Sequence, residues 1–128
     1  MNETEKITIN LSVVDLGQID LLVEEGFYSN RTDFIRSAIR LQLNQRDEVL
    51  KQAMVRKFMV IGVLTFDRKT LERKRAAGEK LAIRAIGLVT LSDDIPPELA
   101  AEVVESVKVN GILRASAPVR QALAGRIL

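Results

Sequence analysis

The chain has 128 residues, of which 47% are hydrophobic and 28% charged, a composition typical of a folded protein with one domain or two small units. It contains no cysteine and no histidine, which excludes disulfides, thiolate chemistry, and the commonest metal ligand and general base. No apolar run approaches the roughly 18 residues of a membrane span, so we expect a cytoplasmic protein without membrane contact.

The net charge of +2 is unevenly distributed along the chain. Residues 1–46 carry a net charge of −2, residues 47–85 of +5, and residues 86–128 of −1. Phosphate neutralisation normally supplies much of the affinity for nucleic acid. Net charge therefore does not predict nucleic-acid binding by the amino-terminal third.

The first predicted element is a β-strand from Lys6 to Leu11, where polar and apolar residues alternate strictly. One face carries Lys6, Thr8 and Asn10, and the other carries Ile7, Ile9 and Leu11. A lone strand of about six residues is not stable and exposes an edge. We therefore expect it to pair with the same strand of a second copy.

Two helices are predicted after this strand. Ser12 stands three residues before Asp15, as in a loose capping box, and apolar residues then follow at helical spacing until Gly26. The segment 29–33 supplies side-chain caps and an acidic first turn for the second helix. Its expected inward residues are Phe34, Ile35, Ala38 and Ile39, with Leu43 as a further candidate. The predicted order is strand, helix, turn, helix.

This pattern is similar to that of the ribbon-helix-helix DNA-binding proteins of the MetJ/Arc and CopG type. The resemblance covers about residues 5 to 45 and rests on Lys-Ile-Thr-Ile-Asn-Leu at 6–11 and on Gly-Phe-Tyr-Ser-Asn-Arg-Thr-Asp-Phe-Ile-Arg-Ser-Ala-Ile-Arg at 26–40. It implies an antiparallel ribbon formed by two protomers. The base-contacting residues that it implies are Lys6, Thr8 and Asn10.

The same resemblance implies that the start of the second helix holds flanking phosphates through backbone amides. The residues concerned are Ser29, Asn30, Arg31 and Thr32. Both expectations agree with general chemistry. A two-stranded ribbon fits the major groove, Lys donates to guanine and Asn pairs with adenine. Free N–H groups and the helix dipole favour a phosphate at a helix start.

The remaining residues predict a helical connector at 47–57 and a repeat at 58–128. Three strand-like runs, 60–67, 85–92 and 109–116, contain Gly62, Gly87 and Gly111, which are 25 and 24 residues apart. Helix-compatible stretches follow at 68–77, 97–106 and 118–126. We predict an α+β chain: a ribbon-helix-helix domain at 1–46, then a small solenoid-like α/β repeat domain. A small α/β domain of another topology is the alternative.

Other features of this region predict structure and not chemistry. Phe58, Met59 and Phe66 are apolar; a core position is the default expectation for them, and a surface that faces a partner is the alternative. The basic run 68–75 favours a solvated helix face, with non-specific phosphate contact as the alternative. The pair Asp93 and Asp94 fits helix capping better than acid/base catalysis. We find no enzyme motif and expect no cofactor and no metal.

We therefore expect a sequence-specific transcriptional regulator, a repressor, that binds double-stranded DNA as a homodimer. The resemblance also implies a cytoplasmic, nucleoid-associated protein of bacterial or archaeal type. Residues 58–128 lack polar capping repeats, so we expect them to assemble dimers into a higher oligomer or filament, or to bind an effector. Two alternatives are an antitoxin with a toxin partner and a polymerising scaffold that organises DNA.

Overall fold

A computed structural model describes residues 3–128, so Met1 and Asn2, which begin the predicted domain 1–46, lie outside the described residues. The chain divides into two compact units, residues 1–53 and residues 54–128. Within residues 3–128, no helix is long and apolar enough to cross a membrane.

The first unit contains two capped helices. Helix α1 spans Val13–Glu24, and the Ser12 hydroxyl at its start accepts a hydrogen bond of 3.1 Å from the Asp15 N–H. Helix α2 spans Arg31–Gln45 and begins after Asn30. Helix α1 ends at a left-handed glycine, Gly26, with φ of 85°. The next amide, that of Phe27, donates back to the Leu22 carbonyl. This Schellman turn reverses the chain toward α2.

Helix α3 spans Asp47–Arg56 and thus runs across the division between the units. Its end repeats the Schellman pattern, since the Met59 amide donates to the Met54 carbonyl at 2.9 Å. The residue that takes the left-handed conformation here is Phe58, with φ of 54°, where glycine is usual. Phe58 is also 83% exposed, so the expectation of a core position for it was wrong.

The second unit is built on a three-stranded parallel sheet in the order β1-β2-β3. The strands are β1 (Val60–Phe66), β2 (Leu81–Leu91) and β3 (Val104–Arg114). Strands in a parallel sheet need crossover connections, and helices α4 (Arg68–Ala76) and α5 (Pro97–Val103) supply them. Helix α6 (Ala117–Ala122) and a short 3₁₀ turn (Ala124–Arg126) follow β3.

The core of this unit lies between one face of the sheet and its helices. Alternate strand residues point into it, and helices α4, α5 and α6 contribute residues from the other side. Its largest fully buried side chains are Leu71, Ile83, Val89, Val103, Val104, Val107, Val119 and Leu123. No side-chain polar group of the described residues is buried without a hydrogen-bond partner. This layer of Leu, Ile and Val stabilises the second unit.

Three glycines lie side by side across the sheet. The register pairs Gly62 with Gly87, and Gly87 with Gly111. All three have positive φ, of 154°, 136° and 128°. A Cβ on Gly87 would lie 2.2 Å from the Gly62 carbonyl oxygen, and one on Gly111 would lie 2.1 Å from that of Gly87. The backbones therefore approach more closely here than any side chain allows.

Element boundaries in the second unit differ from those predicted. Strands β2 and β3 begin at Leu81 and Val104, before the runs predicted to start at Ala85 and Val109. The helix expected over 97–106 ends at Val103, because Val104 adopts an extended conformation with ψ of 112°. Both valines are buried, so apolar packing and the β preference of valine decide this boundary.

The Asp pair also acts differently from the prediction. Helix α5 begins after Pro96 without a side-chain cap. Asp94 instead accepts a hydrogen bond of 3.3 Å from the Arg68 amide, at the start of α4. Asp94 thus helps to cap the preceding helix, which no local pattern could indicate because the two residues are 26 positions apart.

Candidate nucleic-acid interface

The predicted ribbon segment, residues 6–11, exposes the side chains of both its faces. Residues 3–12 form neither helix nor strand within the single chain, and Lys6, Thr8 and Asn10 are exposed. The alternate residues Ile7 and Ile9 are exposed to 74% and 58%. A ribbon between two chains would supply the missing ladder and would cover this apolar face. The segment is therefore available for intermolecular pairing.

The helices of the first unit likewise lack a core of their own. Ile19 is the one buried hydrophobic residue among residues 3–53. Exposed large apolar residues in the same range include Val13, Val14, Leu21, Phe27, Ile39, Leu41, Leu43 and Val49. A monomer seldom exposes so much apolar surface without a partner. Such a unit gains its core by association, as obligate dimers do.

The start of helix α2 is capped by a reciprocal pair. The Asn30 side chain accepts a hydrogen bond of 2.8 Å from the Asp33 amide, and the Asp33 carboxylate accepts one of 2.9 Å from the Ser29 amide. The amides of Asn30, Arg31 and Thr32 donate none of the hydrogen bonds found within residues 3–128. The free donors of this turn therefore belong to three of the four predicted residues, and the Ser29 amide is already engaged.

The Arg31 side chain is held by helix α1. Its Nε lies 2.8 Å from one carboxylate oxygen of Asp20 and its second nitrogen 2.9 Å from the other, a bidentate pair. Hydrogen bonding to Arg31 lowers the pKa of the Asp20 carboxyl. The guanidinium therefore fixes α2 against α1, and what Arg31 presents at the turn is its backbone amide.

An aromatic pair packs in the same turn. The rings of Tyr28 and Phe34 meet edge to face, with centroids 5.0 Å apart and an interplanar angle of 85°. Tyr28 precedes α2 and Phe34 lies in its first turn, so the contact sets how the chain enters the helix. The cap, the ion pair and the ring contact together orient the free amides.

The comparison with protein families decides what this arrangement is. The model of the ribbon-helix-helix transcriptional regulator family matches residues 2–120. The chain belongs to this family. The match extends beyond residues 5 to 45, on which the sequence resemblance rested, and includes most of the sheet unit. Neither the search of curated proteins nor that of solved structures gave a match.

Membership of the ribbon-helix-helix family indicates a DNA-binding transcriptional regulator. Regulators of this family bind DNA, are usually dimeric and are generally not enzymes. No group of three or more His, Cys, Asp or Glu residues in the described part of this chain could hold a metal ion. The first unit thus combines an unpaired ribbon segment, a helix pair without its own core, and a helix start with free amides.

Three of the five cations of the basic run on helix α4 lie close to a carboxylate. Arg68 lies 2.6 Å from Glu72, Lys74 lies 3.6 Å from Glu79, and Arg75 lies 3.5 Å from Glu102. These cations already have carboxylate partners, which would compete with DNA phosphates. Such pairing accords with the solvated helix face that we favoured for this run.

Proposed function

We propose that this ribbon-helix-helix protein is a homodimeric repressor that reads its operator with a β-ribbon formed by residues 6–11 of two chains. The observation that carries the proposal is the near absence of a core in the first unit. Ile19 is buried there, whereas Ile7 and Ile9 on the ribbon and Val13 and Val14 on α1 are exposed. Pairing two copies would cover these residues and would complete the ribbon ladder.

Sequence reading would come from the opposite face of the ribbon. Lys6, Thr8 and Asn10 alternate with the apolar residues, so the ribbon that buries Ile7 and Ile9 presents the polar side chains outward. Lys donates to guanine O6 and N7, Asn pairs bidentately with adenine, and Thr bonds to either base or contacts a thymine methyl group. Each good contact contributes about 1–3 kcal/mol of discrimination.

The start of helix α2 would position the ribbon on the duplex. The free amides of Asn30, Arg31 and Thr32 and the positive end of the helix dipole suit a phosphate oxygen. Phosphate contacts fix orientation and register, whereas base contacts specify sequence. The Asp20–Arg31 pair would hold this turn at a fixed place relative to α1.

Repression would follow from occupancy of the promoter. The sheet unit would join dimers into larger assemblies. Base contacts by a single dimer are few, so linking dimers through residues 58–128 would let several ribbons engage neighbouring half-sites. We propose this unit as a solenoid-like assembly domain. Its uniform parallel register, with the three glycines paired across the sheet, supports that proposal.

The test is fluorescence anisotropy on fragments of the protein's own promoter region at about 0.15 M salt, near physiological ionic strength. Wild type is compared with a Lys6→Ala/Asn10→Ala double variant. We expect the variant to lose at least about 700-fold in affinity for the preferred fragment, because the dimer loses four base contacts, two from each chain, which amount to about 4 kcal/mol or more. Its affinity for unrelated DNA should change far less.

A matched control is Asn44→Ala/Lys51→Ala, which removes the same residue types from exposed positions on α2 and α3. This control should bind like wild type. If the ribbon variant binds the preferred fragment as tightly as wild type, the ribbon does not read DNA and the proposal is wrong.

A further inference from the structure

The two outer edges of the sheet differ in how they are protected. On the β3 edge, the Leu128 amide donates to the Val107 carbonyl at 2.8 Å, and Ile127 forms a parallel bridge with Val107. The Arg120 guanidinium donates to the Leu113 carbonyl. Lys108 and Arg114 add charge to this strand. A capped and charged edge resists pairing with another strand.

Strand β1 has no such protection. Its seven residues include no charge and no proline. The Phe66 carbonyl accepts from Ser92 and so points toward β2. Because strand residues alternate, the N–H and C=O groups of Val63 and Thr65 point away from β2. Among residues 3–128, no backbone hydrogen bond outside the helices and the sheet ladder involves them. The β1 edge is therefore a template for another strand.

The surface at the start of β1 is also apolar. Phe58 is 83% exposed, Val60 50%, Ile61 69% and Val63 36%. Phe58 takes its left-handed conformation at an energetic cost and places a bare aromatic ring in solvent. Strained backbone conformations cluster at functional sites, and contiguous exposed apolar patches mark interaction surfaces. The β1 surface, defined as Phe58 and residues 60–65, therefore combines an open strand edge with exposed apolar side chains, as interaction surfaces do.

We propose that the β1 surface pairs antiparallel with the β1 surface of a second copy of this chain, which joins two sheets into one of six strands. The capped β3 edge disfavours head-to-tail stacking of β1 on β3, the contact that a filament requires. A two-fold pairing of like edges closes on itself and leaves only capped edges outside. The proposal deepens the assembly role of the sheet unit and does not depend on DNA reading.

The experiment is distance measurement between spin labels on the full-length protein. The chain has no cysteine, so Val63→Cys and Asn110→Cys each give one labelling site per chain. Position 110 lies on β3, and its register partner on β2 is Ile86, which pairs in turn with Ile61. In the six-stranded sheet, the backbones at position 63 lie within about 10 Å of each other, and those at position 110 about 24 Å apart.

Variants of the edge should separate the labels at position 63. Ile61→Lys places a charge in the apolar β1 surface, and Thr65→Pro removes an outward N–H, a change that edge strands tolerate. We expect both to abolish the short distance while the circular dichroism spectrum stays that of wild type. The control Val55→Lys, on an exposed residue of α3, should leave the distance unchanged.

The outcomes are distinct. Short distances at position 63 together with long ones at position 110 support the proposal. A separation above about 20 Å at position 63, which is several strand spacings, would overturn it. So would a short distance between label 63 of one copy and label 110 of another, since that is head-to-tail stacking. The Lys6→Ala/Asn10→Ala variant should keep the short distance at 63, so failure of DNA reading and failure of this pairing remain distinguishable.

Discussion

The row of paired glycines permits a sharp test of how the sheet is held together. In Gly87→Ala, the new methyl group would lie 2.2 Å from the Gly62 carbonyl oxygen, which is backbone and cannot rotate away. Alanine must also adopt φ of 136°. In Gly62→Ala, by contrast, no atom lies within 4 Å of the new Cβ, although φ is 154°. The two variants share the conformational cost and differ in the clash.

The magnitudes follow from that difference. A residue held in a sparsely populated backbone region costs about 1–3 kcal/mol, and overpacking adds about 1–3 kcal/mol. We therefore expect Gly62→Ala to lower the free energy of unfolding by about 1–3 kcal/mol and Gly87→Ala by about 2–6 kcal/mol. Gly111→Ala, whose Cβ would meet the Gly87 carbonyl oxygen at 2.1 Å, should behave like Gly87→Ala.

Urea unfolding is the assay, with one probe of the whole chain and one probe of the first unit alone. Far-UV circular dichroism reports on the whole chain, whereas Tyr28, the single tyrosine in a chain without tryptophan, reports on the first unit. Gly87→Ala should shift the circular dichroism transition and leave the Tyr28 transition near that of wild type. Equal destabilisation by Gly62→Ala and Gly87→Ala would refute the view that close backbone approach requires these glycines.

Two further predictions concern single residues. Phe58→Gly is measured in the Ile61→Lys background, so that self-association through β1 does not contribute. In urea unfolding it should raise the free energy of unfolding by about 0.5–1 kcal/mol. The reason is that relief of the left-handed strain at position 58 exceeds the entropy cost of glycine. The control Val55→Gly, inside α3, should destabilise it, and a destabilising Phe58→Gly would contradict the reasoning. Hydrogen bonding to Arg31 lowers the pKa of Asp20 in the folded chain. The stability that this pair contributes is therefore present above the ordinary aspartate pKa of about 3.9, and it is lost as the pH falls through the lower pKa of the folded chain. Asp20→Asn should therefore be less stable than wild type at neutral pH, and thermal unfolding should show the difference shrinking below about pH 4; a difference that grows in acid would contradict the assignment.

Local patterns in the sequence were enough to predict much of this molecule. Ser12 was expected to cap a helix, and its hydroxyl does so. Gly26 was expected to end that helix, and it takes the left-handed conformation there. The resemblance to ribbon-helix-helix proteins was confirmed by a family match that covers residues 2–120. These features depend on residues a few positions apart, where spacing along the chain determines distance in space.

Side-chain roles set by distant partners were not predictable in this way. The Arg31 guanidinium is bound to Asp20, and Asp94 caps a helix that begins 26 residues before it. Phe58 takes a left-handed conformation because it ends α3 immediately before β1, although its residue type gave no sign of it. The contacts of Arg31 and Asp94 join elements that only folding brings together, whereas Phe58 closes a Schellman turn that is local along the chain.

By itself, the sequence determined the alternation of the ribbon segment, the helix caps and the spacing of Gly62, Gly87 and Gly111. Only the tertiary structure decided that the strands run parallel with these glycines opposite one another, and that the β3 edge is capped while the β1 edge is open. The physical reason is that local patterns fix backbone preference and the face that each side chain takes. Strand direction, register and edge protection are instead properties of pairs of segments distant along the chain.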